Sequence, residues 1–177
     1  MAHMDNMYAL SGLPQNSDKF IRLIAFFKSI LELCAELGIE PILDGSLALF
    51  VYTGNNALNV NDVDLSCPEA DFQPLMTALN QRGISYRLRE WHVLQVLQDD
   101  LKVEFSAIEH WLQNIPLTVN TLQIDHYAVR MMSLSSLREF YRLAVLDRAS
   151  KSEPNEQRKL ADLKRKHALL QHAQESP

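Results

Sequence analysis

The chain has 177 residues, 47% of them apolar and 22% charged, with a net charge of −5. That size suits one domain with an appended helical segment and a sizeable core. The negative charge argues against extended binding to DNA or RNA, which needs a basic stripe to displace phosphate counterions. No run reaches the roughly 18 consecutive apolar residues of a membrane-spanning helix, and no charged N-terminal region precedes an apolar stretch, so a cytoplasmic location is expected. Residues 1–16 read as an N-terminal tail, of which Met1-Ala2-His3-Met4 looks like a cloning remnant.

Apolar residues at 20, 23, 24, 27, 30, 31, 34 and 37 form a helical stripe over 18–37 with Gly38 as its stop. A strand at 41–43, a short helix at 46–52, a loop at 54–61 and a second strand at 63–66 follow. The pattern then predicts a helix over 71–82, with Pro74 in its first turn and Gly83 beyond its end, and a strand at 84–88. Segments 92–97 and 101–108, joined by Gln98-Asp99-Asp100, read as a hairpin. A further hairpin spans 122–130, and a helix starts at Ser133 or Ser135 and runs to about 146. Residues 149–155 read as a linker and 156–171 as a last helix. The fold class is α/β (α+β): a mixed sheet with helices packed on it over 17–132, followed by a helical segment over 133–177.

The chemistry concentrates in three places. Leu43-Asp44-Gly45-Ser46 joins an apolar strand to an apolar helix, so its turn presents backbone N–H groups. Gly lets a phosphate approach, the Ser hydroxyl can donate to it, and a helix N-terminus favours negative charge. The same residues would serve as a plain turn and helix cap. Asp62-Val63-Asp64-Leu65 places two carboxylates on one face of a strand by alternation. Close together they repel unless a cation lies between them, and a hard ion such as Mg²⁺ takes such oxygens together with substrate phosphates. Taken alone, such a pair is more often a solvated surface or turn feature. Glu104, in Lys102-Val103-Glu104-Phe105-Ser106, is a third acid inside a strand; its neighbours do not decide which face is buried.

Together these residues resemble the nucleotidyltransferase superfamily, which includes DNA polymerase beta, the CCA-adding enzymes and the antibiotic nucleotidyltransferases. The matching signature is Gly45-Ser46, fifteen intervening residues, Asp62-Val63-Asp64, then Glu104 on a separate strand. The long spacer is most similar to the aminoglycoside and lincosamide branch, and the resemblance covers roughly residues 17–110. It implies that Gly45 and Ser46 bind a triphosphate and that Asp62, Asp64 and Glu104 hold Mg²⁺ or Mn²⁺. It implies transfer of a nucleoside monophosphate from an NTP, ATP being the first candidate, to a hydroxyl of a small molecule or protein. Two ions would hold the in-line displacement, and Glu104 would accept the hydroxyl proton.

The chain departs from many relatives in carrying Asn59-Val60-Asn61 where they have Arg or Lys, with no basic residue between Lys28 and Arg82. A substitute is expected on the last helix, where Lys159 in Arg158-Lys159-Leu160 resembles the basic helix following the catalytic domain in antibiotic-transferase relatives. The departure also keeps a second class open: a nucleotide- or partner-binding module without turnover, such as a toxin–antitoxin component. Cys34 and Cys67 show no zinc or disulfide spacing; Cys34 reads as core. His92, His110 and His126 read as structural or exposed. Tyr86, Trp91 and Trp111 read as core or interface residues, with base stacking as the alternative.

Overall fold

The computed structural model describes residues 6–151 and 153–174; the suspected cloning remnant lies outside them. Helix α1 (Ser17–Leu37) forms on the expected stripe, burying Phe20, Leu23, Phe27 and Ile30, and Gly38 ends it in the left-handed conformation. Strand β2 (Ile42–Asp44) leads directly into α2 (Gly45–Thr53), and β3 (Val63–Cys67) follows. After a 3₁₀ turn, Glu69–Asp71, come α3 (Phe72–Gln81), β4 (Ser85–Arg89), β5 (Val93–Gln98) and β6 (Leu101–Ala107). The short α4 (Ile108–Trp111), the hairpin β7 (Val119–Ile124) and β8 (Tyr127–Met132), then α5 (Leu134–Ala149) and α6 (Pro154–His172) complete the chain.

Eight strands form one mixed sheet in the order β1-β7-β8-β2-β3-β6-β5-β4. The first, β1 (Met7–Ala9), comes from the segment that the sequence reads as a tail and pairs parallel with β7. Its three residues carry no pattern of their own, so only the partner strand defines it. The turn joining β5 to β6 needs two residues, with Asp99 at φ 52°, a conformation Asp tolerates better than most residues. The third helix stops at Gln81 against the expected 82, and α5 extends three residues past 146.

Alternation decides the sheet's two faces. Along β6, Leu101, Val103, Phe105 and Ala107 are buried while Lys102, Glu104 and Ser106 are half-buried. Val63 and Leu65 of β3 and Leu94 and Val96 of β5 are buried with the first set. Helix α1 lies over β6 and packs against α3. One face is therefore a continuous apolar core and the other carries the polar residues, which answers for Glu104 the question its neighbours left open in the sequence. Helix α2 packs on α5 and α6, and the Tyr52 hydroxyl donates to the Met132 carbonyl at 2.8 Å and accepts from Asn120 at 3.0 Å. Ser133 caps α5, its hydroxyl accepting from the Ser136 N–H. No helix among the described residues is long and apolar enough to cross a membrane.

Neighbouring positions on opposite faces should respond oppositely to truncation. Phe105→Ala is expected to lose about 3–5 kcal/mol in chemical denaturation, and Ser106→Ala less than about 0.5 kcal/mol; equal losses would contradict the assignment of faces.

Candidate active site

Pairing register builds the site. Asp44 on β2 lies opposite Asp64 on β3, Asp64 opposite Glu104 on β6, and Glu104 opposite Gln95 on β5. Three acids and an amide thus form one row across four adjacent strands on the polar face. Asp62, immediately before β3, points into the same cleft. Asp62, Asp64 and Glu104 each offer a carboxylate oxygen within 4.8 Å of the others.

Crowding and burial shape the electrostatics. Asp64 is held well above the ordinary carboxylate range by burial first, then by the charges of Asp62, Asp44 and Glu104. Asp44 is pushed up to about 6 by burial, against the Ser66 hydroxyl, which donates to its Oδ2 at 2.6 Å. Lys102 Nζ sits between the acids, 2.9 Å from both Asp62 and Glu104. Burial disfavours its charge, but the two carboxylates outweigh that and raise its pKa. Gln95 Nε2 donates to the second oxygen of Glu104. The donor set is all carboxylate oxygen, an ammonium already lies among it, and Asp64 is disfavoured as an anion without further positive charge. These residues fit a hard divalent cation.

Above the acids, the β2–α2 junction takes a conformation open to glycine. Gly45 has φ +62°, and a Cβ there would lie 2.1 Å from Asp64 Oδ2, so the absent side chain makes room for the carboxylate. Ser46 follows in the first turn of α2 and its hydroxyl accepts from Lys166 Nζ at 3.1 Å. The cavity holds about 330 Å³ and is lined by Trp91 and Trp111 and by Tyr141, Arg148 and Lys166 from the C-terminal helices.

Of the residues singled out from sequence, Gly45, Ser46, Asp62, Asp64 and Glu104 share this cavity. Lys159 does not line it: it is ion-paired with Glu156 at 3.1 Å beside a separate shallow depression. The lysine facing Ser46 is Lys166, two helical turns further on, also held by Asp162 at 2.7 Å. It lies at helical spacing between Leu163 and Leu170, so a lysine within an apolar stripe was the available signal. Asp44, Lys102 and Arg148 were likewise not singled out. Lys102 was accessible through strand alternation with Glu104; alternation with the buried Ile42 does not mark Asp44, and nothing local marks Arg148.

Comparison with family models and with curated proteins finds no match for this sequence. Solved structures do match. A nucleotidyltransferase-like antigenic protein from Paracoccidioides brasiliensis superposes with a TM-score of 0.54 at 15% identity, over 90% of this chain and 78% of that one. The lincosamide antibiotic adenylyltransferase LnuA, solved with lincomycin bound, gives 0.51 at 13% identity, over 78% and 94%. The antibiotic-resistance factor ANT(2'')-Ia gives 0.50 at 12% identity, over 83% and 88%. The fold is that of the nucleotidyltransferases. Within this nucleotidyltransferase fold the cleft described above lies on the sheet's polar face, where β2, β3 and β6 meet the start of α2.

Asp44 offers a test by pH. Its folded-state value of about 6 exceeds the ordinary 3.8, so its ionisation weighs on the folded state more as pH rises through that window and not at all below it. Asp44→Asn, whose amide oxygen can still accept from Ser66, should therefore stabilise the protein by up to about 3 kcal/mol above about pH 7 and by almost nothing near pH 4. Denaturation curves at both pH values check this; a variant no more stable than the wild type at the higher pH would contradict the buried-anion assignment.

Proposed function

We propose that the protein is a metal-dependent nucleotidyltransferase that moves a nucleoside monophosphate from an NTP, ATP being the first candidate, to a hydroxyl of an acceptor. The observation carrying this reading is the in-register row of Asp44, Asp64 and Glu104 directly beneath the Gly45–Ser46 helix start. Carboxylates for a metal and N–H groups for a phosphate then face one cavity.

Asp62, Asp64 and Glu104 would hold Mg²⁺ or Mn²⁺, which would supply neutralisation of triphosphate charge and activation of the acceptor hydroxyl. The chain's own groups do the rest. The N-terminus of α2 and the Ser46 hydroxyl bind phosphate oxygens, and Lys166, lining the same cleft, supplies positive charge missing before Asp62, joined by Arg148 once it leaves its ion pair with Glu156. Glu104, fixed on one oxygen by Gln95, receives the acceptor's proton as its oxygen bonds to the α-phosphorus and pyrophosphate leaves. Trp91 and Trp111 present flat apolar surface to a base or an acceptor. Helices α5 and α6 act in this reading as part of the cleft's lining.

Lys102 favours a second reading. Its ammonium already bridges Asp62 and Glu104, as would suit a nucleotide- or partner-binding module that works without turnover.

A thermal-shift titration with each NTP, with and without Mg²⁺ or Mn²⁺, tests both readings. With nucleotide at about 100 times Kd, binding adds about 2.7 kcal/mol, a rise of roughly 5–10 °C for a chain of this size. That rise should require metal, favour one NTP and vanish in Asp62→Asn, Asp64→Asn, whereas Lys102→Met should reach it at lower metal concentration. No shift with any NTP, or one that persists in the double variant, would refute the site. Pyrophosphate release by the shifted protein then separates a transferase from a binding module.

A further inference from the structure

Behind the aromatic wall of the cleft lies a second cluster of ligating side chains. Glu69 sits in the 3₁₀ turn after β3, His92 just before β5 and His110 on α4. His92 Nδ1 is 2.7 Å from Glu69 Oε1, and His110 Nε2 is 3.0 Å from Glu69 Oε2. The two imidazoles stack with centroids 3.4 Å apart and planes 6° from parallel. All three residues keep about two-fifths of their side chains in solvent, so the cluster is open to an ion. The Glu69 N–H is itself bonded to Glu109 Oε2 at 3.1 Å, which fixes the turn.

The sequence separates these residues widely, and the fold gathers three unrelated connections to bring them together. His92 takes φ +59° to do so, in the left-handed region that few residues adopt. Each imidazole nitrogen lies about 3 Å from a different oxygen of Glu69, and one ligand atom from each of the three residues falls within 4.8 Å of the others, close enough for one ion with bonds near 2 Å to gather them. The donor set differs from that of the carboxylate cluster: N₂O suits a borderline cation, where all-oxygen suits Mg²⁺.

We propose that Glu69, His92 and His110 form a second metal site, for a divalent cation of the zinc class, with its remaining coordination positions filled by water. The stacked rings open toward the carboxylate to admit the ion, a movement available to His110 on the exposed face of a one-turn helix. The site would also act on the cleft. His92 follows Trp91 and His110 precedes Trp111, both tryptophans line the cleft, and Trp111 Nε1 donates to the Trp91 carbonyl at 3.0 Å. An ion joining the three connections therefore pins the aromatic wall in place. This assignment stands apart from the nucleotidyltransferase reading and does not need it.

The full chain, stripped of metal, should be titrated with Zn²⁺ by calorimetry near neutral pH and with Co²⁺ while tryptophan emission is followed. Trp91 and Trp111 are the chain's two tryptophans, so binding at this site changes the whole signal. The expected result is one Zn²⁺ equivalent whose affinity falls at least about tenfold in His110→Ala and in Glu69→Gln, together with Co²⁺ quenching lost in the same variants. His92→Asn, which tolerates the left-handed backbone, should behave alike. Asp62→Asn, Asp64→Asn should retain both signals. Absence of saturable Zn²⁺ binding in the wild type, or binding lost in the aspartate variant but kept in His110→Ala and Glu69→Gln, would overturn the proposal.

Discussion

The burial and crowding of carboxylates on one sheet face is the constraint around which this molecule is arranged. Asp44, Asp64 and Glu104 occupy the same register position on three adjacent strands, and strands lie about 4.8 Å apart. Burial and then the neighbouring charges hold Asp64 well above the ordinary carboxylate range, and burial raises Asp44 as well. The apolar face beneath, with Val63, Leu65, Val103 and Phe105 fully buried, offsets this and holds the acids in place. What would be a flaw in a structural sheet becomes a fixed demand for positive charge.

The chain meets that demand from different directions. Lys102 answers from within the sheet, between Asp62 and Glu104. Lys166 answers from α6, reaching Ser46 across 120 residues of sequence, while Arg148, at the end of α5, lines the cleft and is paired with Glu156. Helices α5 and α6 therefore belong to the cleft as much as the sheet does, because they bring cations where the segment before Asp62, Asn59-Val60-Asn61, has none. Ser133 caps α5 and the Tyr52 hydroxyl ties α2 to the Met132 carbonyl, which anchors the helices of the cleft in the packed core.

Much of this was legible in the sequence where one residue pattern decides one environment. The stripe of α1, the alternation of Asp62 and Asp64 at the start of β3 and the Gly-Ser turn each carry their own information, whereas the face that Glu104 takes on β6 is decided by the assembled sheet. Strand β1 does not, since Met7–Ala9 acquires meaning only beside β7. Lys159 and Lys166 show the same limit at the site: both are basic residues on one helix, and tertiary packing selects the one that faces Ser46. The histidines are the plainest case, because Glu69, His92 and His110 lie on three separate connections and no spacing rule joins them. Contacts between elements, which set the cation wall and the histidine cluster, are written in the fold and not in any one segment.

Whether the acid row exists to hold metal beside nucleotide is tested most directly by crystals grown with Mn²⁺ and a non-hydrolysable NTP, measured at the manganese absorption edge. The predicted result is an anomalous peak in contact with Asp62, Asp64 and Glu104, nucleotide phosphate at the Gly45–Ser46 turn, and Lys102 Nζ drawn away from the bridging position it holds here. Nucleotide bound elsewhere, or a cleft without manganese in which Lys102 still joins Asp62 to Glu104, would contradict it.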